Sequence, residues 1–130
     1  MLKIDIVTPI KKLVDGASAE SVKLPGTKGE IEILEGHTEL LTLLKTGPLT
    51  FVKEGKERKF SVTYGFAEVR DNKVLVLADT VEESTEIDKT RAQSAQKKAE
   101  QALMGTLSES DFNKQQLKLE RAIVRQRISI

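Results

Sequence analysis

The chain has 130 residues, enough for one compact unit or one domain with an appendage. With 21 basic against 20 acidic residues, one Tyr, four Phe and no Trp, it lacks both the positive field and the aromatic platforms of a nucleic-acid binder. It has no cysteine, which excludes disulfides, thiolate metal sites and cysteine nucleophiles and fits a reducing cytosolic setting, and no apolar run approaches the roughly 20 residues that span a bilayer.

The first 80 residues read as strands. Leu2, Ile4 and Ile6 alternate with Lys3 and Asp5, the pattern of a half-buried strand. The same charges interrupt any apolar signal-peptide core. Asp15-Gly16 reads as a tight turn, after which Ala17, Ala19 and Ser21 alternate with Ser18 and Glu20. Leu24-Pro25-Gly26 and Gly29 break the chain again before Ile31 and Ile33 alternate with Glu30 and Glu32. The run Leu40-Leu41-Thr42-Leu43-Leu44 fits a strand, a buried loop or a helical turn. Thr46-Gly47-Pro48 reads as a turn, Lys53-Glu54-Gly55-Lys56 as a hairpin closing onto Phe60, Val62 and Tyr64, and Asp71-Asn72 as a turn between Phe66–Val69 and Val74–Ala78. Short strands with turn signals about every ten residues mean a sandwich or barrel.

After Asp79 the period changes. Ala92, Ala95, Ala99 and Ala102 recur at spacings of three and four, a helix face of small residues that lets a second helix approach closely. Thr85-Glu86-Ile87-Asp88 fits a capping box with Thr85 as the cap, and Gly105 a stop. Ser108-Glu109-Ser110-Asp111 offers a second box, before a helix carrying Phe112, Leu119 and Ile123 on one side. The tail is therefore an αα-hairpin with a short link. The fold class is α+β, mainly β: a sandwich over 1–84 and a helical hairpin over 85–130.

The halves differ in charge. Residues 1–80 balance 12 basic against 12 acidic side chains, whereas Lys114, Lys118, Arg121, Arg125 and Arg127 face Glu120 alone. Such a helix is either a solvated surface or a contact for an acidic partner or anionic ligand.

Motifs for catalysis are missing. His37 is the only histidine, with no second His or Cys to seed a zinc site and no GxSxG serine. Gly26-Thr27-Lys28-Gly29 lacks the spacing of a phosphate loop. Glu30, Glu32, Glu35, His37 and Glu39 crowd one segment, and a polar loop on a rigid sandwich is a common docking site.

Three segments taken together carry a resemblance. Leu24-Pro25-Gly26-x-x-Gly29-Glu30-Ile31-x-Ile33-Leu34-x-Gly36-His37-x-x-Leu40-Leu41-Thr42 is followed by Gly65-Phe66-x-Glu68-Val69 with Val74-x-Val76-Leu77-Ala78-Asp79. Ile87-Asp88-x-x-Arg91-Ala92 then opens the tail. In order and length, over essentially the whole chain, these resemble the epsilon subunits of bacterial F-type ATP synthases. The chain departs from that pattern at Glu32, where the family usually has Gly, and at Glu35 and Glu39, where it has Pro. It also departs at Thr63-Tyr64-Gly65, where a Ser-Gly-Gly turn is common, and at Gln93, often Lys.

The resemblance implies a flattened sandwich of about ten strands and a two-helix hairpin. It implies a non-catalytic rotor subunit of the central stalk that links gamma to the c-ring beneath the alpha/beta head, with Glu30 and His37 on loops facing the ring and the foot of gamma. Such a protein sits on the cytoplasmic face of the bacterial inner membrane and meets the membrane only through the complex. The tail of relatives extends to block hydrolysis, and Lys118, Arg121 and Arg125 are the residues that would meet an acidic loop of beta. No cofactor is required. Regulatory ATP is implied in some relatives, here through Ile87, Asp88, Arg91, Ala92, Arg121 and Arg125, the last two sharing a helix face. A free-standing ATP-sensing module is the alternative.

Overall fold

The computed structural model describes residues 1–129; Ile130, the end of the expected hairpin, lies outside the described residues. Eight strands come first: β1 Leu2–Val7, β2 Lys12–Ala19, β3 Ser21–Gly26, β4 Gly29–Leu34, β5 Leu40–Leu44, β6 Gly47–Lys53, β7 Lys56–Arg70 and β8 Lys73–Glu83. A single 3-10 turn, Ser84–Glu86, leads to α1 Lys89–Leu103 and α2 Glu109–Ile128.

The strand path is β2-β1-β8-β7-β5-β3-β4, with β6 pairing both β3 and β7. Every pair is antiparallel except β1 with β8, which run parallel from Lys3 opposite Lys73 to Val7 opposite Leu77. The long strand β7 serves two neighbours in turn. Up to Val62 it pairs β6, and from Gly65 it pairs β5. Eight strands thus stand where the resemblance implies about ten, and β7 runs unbroken through both Phe60–Tyr64 and Phe66–Val69.

Alternation decides which side chains fill the core. Leu2, Ile4 and Ile6 on β1 meet Val74 and Val76 on β8, Val22 and Leu24 on β3, and Leu49, Phe51, Phe60 and Val62 on β6 and β7, all essentially inaccessible. The core cluster draws only on residues 2–81, so the sandwich holds itself together without the hairpin. Phe51 and Phe60 stack with centroids 5.8 Å apart, and the Arg58 guanidinium lies 5.2 Å and 5.4 Å from their centroids. Arg58 also forks onto Glu83, with bonds of 2.9 Å and 2.8 Å, which holds the Glu83 carboxyl below its ordinary pKa.

Several local readings need correction. Asp15-Gly16 is not the turn; the β1–β2 connection is Thr8–Lys11, and Gly16 (φ +63) is a bulge inside β2. Its extra residue lets Asp5 Oδ1 accept from the Gly16 N–H at 2.7 Å, with Lys12 Nζ 2.9 Å from Asp15 and 3.4 Å from Asp5. Leu24-Pro25-Gly26 belongs to β3, and Thr27-Lys28 makes the turn. Gly47-Pro48 likewise opens β6 after a bend at Thr46. The ambiguous Leu40–Leu44 run is strand β5, fixed by its ladder with β7. The hairpins at Glu54-Gly55 and Asp71-Asn72 stand where read, all four residues at positive φ.

The first helix is capped by Asp88, not Thr85. Asp88 Oδ1 accepts from Arg91 N–H at 3.1 Å, while Thr85 sits inside the 3-10 turn. Ser108 caps α2 by accepting from Asp111 N–H at 3.1 Å. The seam reading holds: Ala92 and Ala99 are buried on α1 and Ala122 on α2. The large residues of α2 differ from expectation, for Phe112 and Ile123 are exposed while Val124 and Ile128 are buried. Both stripes fit a helical period, and α2 turns the second one toward β6 and β7, where it packs.

Candidate functional site

Two surfaces carry unused chemistry. The first is the outer face of the sheet formed by β1, β8, β7 and β5. A pleated strand sends alternate side chains to opposite faces, so the outward set on these strands is Val7, Leu77, Phe66 and Leu43 in one cross-strand row. Leu75 and Leu41 lie in the next row on β8 and β5, flanking Glu68 on β7. Leu41 is 70% exposed, Leu43 65% and Phe66 38%, and Ile10 at the β1–β2 connection is 91% exposed. Val7, Pro9, Phe66 and Leu77 line a shallow apolar hollow of about 330 Å³. Scattered exposed apolar residues need no explanation, but a contiguous row across four strands marks a contact surface.

The resemblance puts Glu30 and His37 on loops facing the ring and the foot of gamma. Glu30 is instead the second residue of strand β4, opposite Pro25. It lies in a hollow with Lys28, Ile31, Leu41 and Leu43, at the margin of the apolar row. His37 follows the far end of β4, so the length of the strand from Glu30 to Leu34, about 13 Å at ~3.3 Å per residue, separates their anchoring points. The His37 ring is half-buried and its Nδ1 lies 2.7 Å from the Thr38 carbonyl, which it can bond only as a donor. The loop around it is tied down twice. Gly36 N–H donates to Asn72 Oδ1 at 2.7 Å, and the Met1 ammonium donates to Glu35 at 2.8 Å, lowering that carboxyl's pKa.

The second surface is a groove of about 340 Å³ between the helices. Ala95, Ala99 and Ala102 form its small-residue wall on α1, and Lys98, Lys118, Arg121 and Arg125 bring four cations to its rim. Close approach of the Ala seam is what brings these charges together. Lys98 had no place in the sequence reading, because its partners lie about twenty or more residues away on the other helix. Arg121 and Arg125 do share the groove, as their spacing of four predicts. Ile87, Asp88, Arg91 and Ala92 do not line it. Asp88 is engaged as a helix cap, Arg91 is exposed, and Ala92 is buried with its carbonyl accepting from Gln126 Nε2.

Arg125 is also tied to the sandwich. Its Nη2 donates to Glu82 Oε2 at 3.1 Å, and its Nε lies 2.9 Å from Glu82 Oε1 with the N–H angled off that oxygen, so this second contact is charge against charge. Among the described residues no cluster of His, Asp and Glu could hold a metal ion, and no helix is long and apolar enough to cross a membrane.

The chain is thus a sandwich with an apolar outer face, joined to a cationic hairpin packed along an alanine seam. Comparison with known proteins names the family. The family described as "ATP synthase, Delta/Epsilon chain, beta-sandwich domain" matches residues 1–84, and "ATP synthase, Delta/Epsilon chain, long alpha-helix domain" matches residues 85–129. The ATP synthase epsilon chain of Geobacter metallireducens is 40% identical over 129 residues, covering 98% of this chain and 93% of that protein. That of Desulforamulus reducens is 42% identical over 123 residues, covering 95% and 92%. A chain of the Euglena gracilis mitochondrial ATP synthase shares the fold with a TM-score of 0.87 at 20% identity, covering 97% of this chain and 79% of that one. A chain from the central stalk and c-ring of the Tetrahymena thermophila mitochondrial enzyme does so at 0.67 and 15%, covering 99% and 96%. The chain belongs to the epsilon subunits of ATP synthase.

Proposed function

We propose that this chain is a non-catalytic part of the rotor, joining gamma to the c-ring below the alpha/beta head, and that its hairpin brakes ATP hydrolysis. The protein then sits at the cytoplasmic face of the bacterial inner membrane and touches the membrane only through the complex. The observation that carries this reading is the apolar row Val7, Leu77, Phe66 and Leu43. It lies on the sheet face turned away from the core and has the continuity of a permanent subunit contact. Glu30 at its margin supplies a polar rim toward the ring, and His37 a second contact point.

The brake follows from the hairpin's economy of contact. A seam of alanines buries little area, and α2 alone makes the main packing against the sandwich. A gap of a few kcal/mol between docked and released hairpins is enough for a switch. Once released, Lys118, Arg121 and Arg125 would meet an acidic loop of beta, in a contact weakened by salt.

The cationic groove favours a second role in the same protein, binding of ATP to the docked hairpin. Lys98, Lys118, Arg121 and Arg125 would hold the phosphates. Ile87, Asp88, Arg91 and Ala92, at the start of α1, would reach the base only through a local rearrangement. An Arg125→Ala protein that binds ATP as tightly as the parent removes this role. The alternative of a free-standing ATP sensor predicts a stable monomer with no stalk partner.

The test is hydrolysis by the cognate head complex depleted of this subunit, with the full chain, residues 1–84, or the full chain carrying Leu43→Asp and Phe66→Asp added back. The full chain should bind and slow hydrolysis, the sandwich should bind without slowing it, and the double variant should fail to bind. Binding of the double variant with parental affinity refutes the docking face. Equal hydrolysis with the full chain and the sandwich refutes the brake.

A further inference from the structure

Among the described residues Glu82–Arg125 is the only ion pair joining the hairpin to the sandwich. Arg125 is the more enclosed partner, its side chain 17% exposed. The Glu82 carboxylate that it meets sits on a fixed post. Glu83, the next residue, is forked by Arg58, which rests on Phe51 and Phe60, so the end of β8 is anchored in the core just before the hairpin begins. The two neighbouring carboxylates therefore divide the work. Glu83 locks strand to sandwich, and Glu82 reaches across to the arm. Beyond this pair α2 packs on β6 and β7, and Val124 and Ile128 are among its buried residues. Lys114, Lys118 and Arg121, on the same helix, have no acidic partner within ion-pair distance among the described residues.

We propose that Glu82 is an internal decoy for the acidic surface the arm meets when released, so that the Glu82–Arg125 pair latches the hairpin and withholds one arginine from that surface. The decoy half of this rests on the brake reading above; the latch half does not. An acidic side chain of a partner and Glu82 want the same side of Arg125, where Nη2 donates and Nε adds its charge. Only one carboxylate can take the face that Nε and Nη2 present. The arm thus opens onto its partner by exchanging one carboxylate for another, and the charge stays paired on both sides of the switch. The exchange lowers the cost of release, because a part-buried arginine is never left without a counter-charge.

The native chain has no cysteine, so spin labels at Lys53→Cys at the end of β6 and Asn113→Cys on α2 report the arm's position in the full chain. Both sites are exposed. Glu82→Gln, close in shape, should raise the long-distance population about tenfold, the factor expected for removing a hydrogen-bonded charge. The charge swap Glu82→Arg with Arg125→Glu should return the distribution to that of the parent. Arg127→Gln, an exposed change on the same helix, should leave it alone. A Glu82→Gln distribution identical to the parent's overturns the latch, and so does an equal shift from Arg127→Gln. In the assembled complex, Glu82→Gln should slow hydrolysis more than the parent does. A shifted distance distribution without stronger inhibition keeps the latch and overturns the decoy, so the two failures are distinct.

Discussion

The Arg58–Glu83 fork gives the sharpest test of how the sandwich is held. Arg58→Met keeps the aliphatic stem over Phe51 and Phe60 but removes the guanidinium and leaves Glu83 unpaired. The fork supplies two charge-assisted bonds of 2.9 Å and 2.8 Å, worth roughly 1.5–3 kcal/mol for such contacts. The rings add about 0.5–1 kcal/mol. The Arg58 side chain is 39% exposed and Glu83 21%, so solvent screening takes back part of both. The net loss comes to about 2 kcal/mol, a fall of about 1 M in the urea midpoint at typical slopes. The same fork sets a pH dependence. Glu83 is held below the ordinary carboxylate value of 4.5, chiefly by its bond to Arg58, so the folded state binds its proton less readily than the unfolded chain. The contribution is complete above that value and is lost as pH falls through the lowered one. The gap between parent and variant should therefore be full at pH 7 and shrink below about pH 4.5. Urea titrations followed by circular dichroism at both ends of that range measure it. Equal midpoints at pH 7, or a gap that widens in acid, refute the reasoning.

Other expectations follow from single positions. A Cβ at Gly65 would stand 1.9 Å from the Leu77 carbonyl oxygen and 2.7 Å from Ala78 Cα, so Gly65→Ala should cost about 3 kcal/mol or more in thermal unfolding of the sandwich. Tyr64 holds φ +43 where β7 changes partners, so Tyr64→Gly should relieve about 1 kcal/mol of strain and raise the melting temperature. Ala99→Leu overfills the alanine seam. It should destabilise the hairpin by about 1–3 kcal/mol, seen as faster amide exchange in α1 and α2 with β1 to β8 unchanged.

The strands were legible where one face is core and the other solvent. Leu2, Ile4 and Ile6 announce β1 by alternation alone, and Glu54-Gly55 and Asp71-Asn72 announce their turns by residue type. Asp15-Gly16 was misread because a bulge and a turn demand the same left-handed residue; only the pairing of Asp5 across the ladder separates them. The apolar outer face was hidden for a different reason. Leu41, Leu43, Phe66 and Leu77 sit in runs with apolar residues on both faces, and such a strand has no period to show which side meets the interior. In the tail, the Ala spacing revealed the helix seam, but two apolar stripes on α2 fit one period equally well, and contact with β6 and β7 chose between them. Arg121 and Arg125 come from the family resemblance, and their spacing of four says only that they share a helix face. Lys98 and Glu82 were not legible, because their partners are brought near only by the hairpin's return and its docking.

The parallel pairing of β1 with β8 has a consequence for synthesis. Within the sandwich, β1 is translated before every other strand and its neighbour β8 after them all, about seventy residues later in the register of Lys3 with Lys73. Leu2, Ile4 and Ile6 must therefore wait, uncovered on that edge, until nearly the whole sandwich has been translated. Closure of a loop that long is slow relative to local hairpins. The arm, by contrast, is built from sequence-local contacts and follows the sandwich in the chain. A nascent chain stalled before Val74 would thus carry an unclosed sheet and a sticky leading strand, a form that invites chaperones to hold it.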